Sequence, residues 1–202
     1  MNFWKKLWGA GSPQDAGRAA PEPEPSLARR QAGQDFGAFV ALLAQGLEPG
    51  EAQRLRQAAG DAWQQATQAL AAEGAHADVD AFEVLQEIMA GDEGQRPGQW
   101  LILFVDWRAS DEIGWQAAEL VGRRRAGLAW DGAEAEFESV PHAFAALAAW
   151  LAGHGLALLH IETDADAYCA AIVDAAEAAP ARRLAEAAGL TVYDPQEFAA
   201  RN

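Results

Sequence analysis

The run Gln99-Trp-Leu-Ile-Leu-Phe-Val-Asp-Trp-Arg-Ala-Ser-Asp-Glu-Ile-Gly-Trp115 constrains the fold more than any other stretch of this chain. Leu101–Val105 is apolar throughout, without polar alternation, and so describes a strand buried on both faces. Asp106 ends the run. Ser110-Asp111-Glu112 then opens a helix, since acids in a first turn complement the helix dipole. A second apolar run, Leu156–Ile161, has the same character. Two such strands separated by helical patterns predict an α/β or α+β fold, with a small mixed sheet packed by helices.

The rest of the chain divides around this frame. Residues 1–8 (MNFWKKLW) place Phe3, Trp4, Leu7 and Trp8 on one helical face beside Lys5 and Lys6. Residues 9–33, with Pro-Glu-Pro-Glu-Pro at 21–25, read as an extended linker, so residues 1–33 form a flexible tail. A single folded acidic domain is expected over 34–202, helical over 34–90 and alternating strand and helix over 99–202. In the helical half, Phe36, Phe39, Val40, Leu43 and Leu47 recur every three to four residues. Leu55, Ala59, Ala62, Trp63, Ala66 and Leu70 do the same, and a third helix is expected at Val79–Met89. Gly91–Gly98 breaks the pattern. Beyond it, helices are expected at Asp111–Arg125, Pro141–Ala152, Asp164–Ala176 and Ala181–Ala188. Strands around Asp131-Gly132 would make a hairpin, and Leu190–Tyr193 a last strand. Asp194-Pro-Gln-Glu197 has the form of a capping box for a terminal helix.

The acidic strand ends are the sharpest chemical candidates. If the two apolar strands are neighbours and parallel, Asp106, Glu162, Asp164 and Asp166, with Asp111, would converge on a hard cation such as Mg²⁺ in a metal-dependent hydrolase. Helix capping is the preferred account, because Thr163-Asp-Ala-Asp166 has the Ser/Thr-x-x-acid pattern of a helix start. A calcium loop is rejected: starting at Glu162 puts Ala167 at the position that needs Gly. His76, His142, His154 and His160 include no pair at ligand spacing, and His160 sits inside a strand, where a core role is expected. Arg123, Arg124 and Arg125 close a helix, where cations oppose the dipole. Among eight tryptophans, Trp63 reads as core, whereas Trp107, Trp115 and Trp130 with Arg108 would suit a protein-binding surface.

Charge and cysteine usage narrow the class. Residues 1–33 carry five basic and three acidic side chains, leaving ten basic against 27 acidic on 34–202. A body with net charge −17 repels phosphate backbones, so nucleic acid is not the expected partner; a basic protein is. One cysteine, Cys169, forms neither an intramolecular disulfide nor a thiolate zinc site, which makes the cytoplasm the expected compartment. No phosphate loop, dinucleotide fingerprint or nucleophile elbow appears, and no cofactor is implied.

Two segments carry a resemblance: Leu103-Phe-Val-Asp-Trp-Arg with Asp111-Glu112, and Ile161-Glu-Thr-Asp-Ala-Asp-Ala-Tyr168 leading to Leu184-Ala-Glu-Ala-Ala-Gly-Leu190. Over residues 34–195 the chain resembles an uncharacterised bacterial family of small acidic cytosolic proteins known only as a domain of unknown function. That resemblance brings no activity or site residue. The residues themselves favour a non-enzymatic, immunity- or regulator-like module that binds a protein partner. The alternatives are the metal-dependent hydrolase and a membrane-surface adaptor acting through Phe3, Trp4, Lys5, Lys6, Leu7 and Trp8.

Overall fold

A computed structural model describes residues 27–74, 77–90 and 100–201. The aromatic–basic segment 1–8, most of the expected linker, His76 and the Gly91–Gly98 break lie outside the described residues. The elements run α1 (Leu27–Leu43), α2 (Pro49–Ala72), α3 (Ala81–Ala90), β1 (Leu103–Asp106), α4 (Glu112–Arg124), α5 (Val140–Gly153), β2 (Leu156–Ile161), β3 (Ala167–Asp174), α6 (Ala178–Ala187), β4 (Val192–Tyr193) and α7 (Pro195–Ala199). Helix α1 starts at Leu27, seven residues before the domain boundary expected at 34.

The four strands are ordered β1-β3-β2-β4, and every neighbouring pair is antiparallel. The sheet is therefore not mixed. The two apolar runs identified in the sequence contain β1 and coincide with β2; β1 begins two residues into its run, at Leu103, and takes in Asp106. They run in the same direction, yet they are not neighbours, because β3 lies between them.

Strand β3 replaces the helix expected at Asp164–Ala176. Its Ala-rich sequence has high helix propensity, but tertiary packing overrides it. Tyr168, Ala170 and Ile172 face one layer of core, while Cys169, Ala171 and Val173 face the other. A strand buried on both sides shows no polar alternation, so its pattern does not differ from that of a buried helix. The small alanines let helices approach the centre of the sheet from either face.

One face of the sheet is covered by α1 and α6, with α2 and α3 packed beyond; Phe36, Phe39, Leu43, Leu85, Leu159 and Val173 share that core. The other face is covered by α4 and α5, with Ile113, Leu120, Phe144, Leu147, Leu158 and Ile172 between them. Trp63 is buried against Phe36, as its helical position predicts. Local signals set the helix ends. Asp80 Oδ1 accepts from the Phe82 and Glu83 amides ahead of α3, and Ser139 caps α5 through the His142 amide.

The hairpin expected around Asp131-Gly132 does not form. Trp130 and Ala133 close a turn (3.3 Å), but the flanking residues pair with no strand. The segment instead lies as a loop on α4, where a Cβ on Gly114 would sit 2.1 Å from the Ala133 carbonyl oxygen. Its apolar residues are anchors: Trp130 is buried and stacks on Phe137 at 5.7 Å.

Strand β1 forms one edge of the sheet, and its outer backbone groups are met by a side chain. Gln116 of α4 is buried; its Oε1 accepts from the Phe104 amide at 2.9 Å, and its Nε2 donates to the Phe104 carbonyl at 3.1 Å. One side-chain amide thus imitates the next strand and closes the edge against further pairing. Replacing it with leucine leaves both Phe104 groups unpaired, each at a cost of about 1–3 kcal/mol. We expect Gln116→Leu to lower unfolding free energy by roughly 2–4 kcal/mol in urea titrations; a loss below about 0.5 kcal/mol, the level of an ordinary surface change, would refute this role.

Candidate functional site

Helices cover the faces of the sheet but not the end at which β2 turns into β3. Thr163 shapes that turn: its hydroxyl donates to the Ala167 carbonyl at 2.7 Å and lies 3.3 Å from the Ala165 amide. Asp164 adopts a left-handed conformation at φ 51°, which Asp tolerates better than most residues. The Thr163–Asp166 pattern therefore builds a hairpin turn, not the helix start expected from it.

A cleft of about 610 Å³ opens beside this turn. Glu162, Thr163 and Asp166 supply its polar rim from the turn; Trp107 enters from the end of β1, Tyr193 from β4, Phe198 from α7 and Arg201 from just beyond it. Trp107 is 47% exposed, an unusual state for so large an apolar ring. Arg201 places its guanidinium 4.2 Å from the centre of the Tyr193 ring. Burial raises the Tyr193 phenol above its ordinary value; Arg201 opposes that shift and a hydrogen bond with Glu162 adds to it.

His160 of β2 lies beneath, 2% exposed, with Phe198 stacked flat on it at 3.7 Å and 3°. Phe144 packs at 5.3 Å, and His160 Nδ1 is buried without a hydrogen-bond partner. Desolvation lowers the imidazole to about 3, with Asp194 opposing, so the ring is neutral at physiological pH. Cys169 reaches the same cleft from the other side of β3, and burial pushes its thiol well above the ordinary range. A histidine that resists protonation and a thiol that resists ionisation are poor material for acid–base or nucleophilic chemistry.

The structure separates most of the other candidates. Of Asp106, Glu162, Asp164 and Asp166, only Glu162 and Asp166 line the cleft. Asp106 turns back to accept from the Arg108 amide at 2.9 Å, and Asp111 sits at the start of α4 without a side-chain cap bond. Among the described residues, no three His, Cys, Asp or Glu side chains form a group able to hold a metal ion. The aromatic set divides as well. Trp107 carries Arg108 over its ring at 4.2 Å, Trp115 packs edge-on against Trp100 at 4.9 Å, and buried Trp130 serves the core. Tyr193, Phe198 and Arg201 were not expected at the site. The only local sign was the Asp194-Glu197 capping box, which positions α7 without announcing what that helix covers.

A family model for a domain of unknown function, DUF6630, matches residues 36–196. The chain belongs to that family. The match spans the helical layers, the sheet and most of the cleft, and ends just before Phe198 and Arg201. No curated protein and no solved structure matches the chain. No helix among the described residues of this DUF6630 protein is long and apolar enough to cross a membrane.

The state of His160 has a measurable consequence. Its value in the folded protein, about 3, lies below the ordinary 6.5. The unfolded chain therefore takes up a proton that the folded chain refuses, and stability falls as pH drops from about 6.5 towards 3. The slope approaches 1.4 kcal/mol per pH unit, about the free energy of one pKa unit. Between pH 6.5 and 4.5 the native protein should lose about 2–3 kcal/mol more than His160→Leu, as read by urea unfolding at each pH. Parallel pH profiles for the two proteins would contradict the assignment.

Proposed function

We propose that this DUF6630 chain is a non-enzymatic binding module, immunity- or regulator-like, whose sheet-end cleft receives a basic segment of a partner polypeptide. The single observation that carries this reading is the pairing of carboxylates with aromatic faces in one cleft: Glu162 and Asp166 beside Trp107 and Tyr193. Cations bind well where an aromatic face and an acid converge, with roughly 0.5–2 kcal/mol from the ring alone. Arg201 over Tyr193 is an internal example of such a contact. The net charge of −17 on residues 34–202 supports the same reading, since it would speed encounter with a basic surface and repel nucleic acid.

The test uses a fluorescent peptide bearing lysines, arginines and an aromatic residue, with its charge-reversed counterpart as control. Anisotropy titration should show binding of the basic peptide alone, weakening as salt rises above physiological strength. Glu162→Lys with Asp166→Lys should reduce affinity about tenfold or more, the equivalent of 1.4 kcal/mol. Both replaced residues are exposed, so folding should survive, and circular dichroism checks this. Equal binding by the double variant, or none by the native protein at low salt, would sink the proposal.

A further inference from the structure

The chain itself contains one segment with the chemistry that the cleft would select. Residues 3–8, Phe-Trp-Lys-Lys-Leu-Trp, combine two cations with four large apolar side chains and hold no acid. We infer that this segment occupies the cleft of its own chain, with Lys5 and Lys6 against Glu162 and Asp166 and its aromatic residues against Trp107 and Tyr193. The inference rests on the cleft being a receptor for basic segments, and adds to it a built-in competitor. An incoming partner would have to displace the segment.

Reach and energetics both allow this. Helix α1 begins at Leu27, so the eighteen residues 9–26 tether the segment. Fully extended, eighteen residues span about 60 Å. A folded body of this size has a radius of gyration near 16 Å. The extended contour exceeds the roughly 40 Å diameter of such a body, so most of its surface is within reach. A tether of this length holds its segment at an effective concentration in the millimolar range. A contact too weak to detect between separate molecules, with Kd near 1 mM, is then about half occupied within one chain. Charge complementarity decides the partner: Lys5 and Lys6 face a body with 27 acidic side chains over residues 34–202, and the cleft offers half-exposed Trp107 to the aromatic residues.

The experiment uses the chain of residues 1–202. Cys169 is the one native cysteine and is buried, so a nitroxide attached through Gly9→Cys goes to the position following Trp8. The nitroxide should abolish most of the amide NMR intensity of Thr163–Ala167 and Tyr193 while sparing α2. Reducing the label, adding Lys5→Glu with Lys6→Glu, or raising the salt should restore those signals. A mixture of labelled unenriched protein with unlabelled ¹⁵N protein should leave them intact. Loss of signal in the mixture would assign the segment to a second copy and overturn the inference. Uniform loss, or none at the cleft, would overturn it too. If none is seen while the free basic peptide still binds the cleft, self-occupation fails and the binding reading stands; if the peptide also fails to bind, both fall.

Discussion

The layers of this fold are joined where two arginines of α4 cap a different helix. Arg123 Nη2 donates to the Leu43 carbonyl at 3.0 Å, and Arg124 Nη2 to the Leu42 carbonyl at 3.1 Å, meeting the carboxyl end of α1. Arg123 also donates to the Trp100 carbonyl, and Arg125 pairs with Asp174 at the end of β3. The helical half, the entry to β1 and the exit of β3 are thereby fixed to one helix terminus. Gly46 completes the joint: at φ 83° it turns the chain so closely over α4 that a Cβ would lie 2.6 Å from the Arg123 carbonyl oxygen. Burial lowers Arg123 to about 10, which leaves it charged at neutral pH. Charge-assisted bonds contribute about 1.5–3 kcal/mol each, offsetting the desolvation and the unpartnered Nε atoms of both arginines.

With helices held against both faces, the ends of the sheet are where backbone and side chains can meet solvent. At the end beside Asp174 the arginines fill the space. At the opposite end the β2–β3 turn is short and polar, and the cleft opens there. Covering two faces with helices while keeping a tight hairpin leaves a concave rim lined by the end of β2, the turn and the start of β3. The acids in that rim gain no helix N-terminus to complement; they face solvent and the aromatic rings beside them.

Much of this architecture was legible in the residues, for reasons specific to each element. Leu156–Ile161 is β2 to the residue, because a short apolar run bounded by Gly155 and Glu162 has little other use. Apart from α1, which begins at Leu27 within the stretch read as linker, the helices that carry one apolar stripe were legible to within a few residues. Strand β3 was not, since alanine is a good helix former and two-sided burial erases the period of two. Asp131-Gly132 does form a turn, but a turn signal is silent about whether strands flank it, and Gly114 lets the loop rest on α4 instead. Arg123–Arg125 were read as cations closing their own helix; Arg123 and Arg124 do stand in its last turn, but they donate to the end of α1, a long-range contact that local spacing does not encode. Gln116 gave no signal at all, because a glutamine completing a sheet edge looks like any polar helix residue.

The cleft shows how a purely local signal acquires functional weight through tertiary contacts. Asp194 Oδ1 accepts from the Gln196 and Glu197 amides while Glu197 accepts from the Asp194 amide, so α7 starts at a fixed position and direction. Arg182 of α6 then holds Glu197 at 2.7 Å and Glu186 at 2.7 Å, tying α7 to the layer on the other face of the sheet. That fixes Phe198 over His160 and brings Arg201 above Tyr193. Read alone, Asp194-Pro-Gln-Glu197 is a helix start. Its consequence is a wall: by pinning five residues of helix it closes one side of the cleft, keeps His160 dry and neutral, and holds the Arg201 guanidinium at the rim. Side chains outside the cleft thus set its shape, which is why the site was harder to find in the sequence than the fold that carries it.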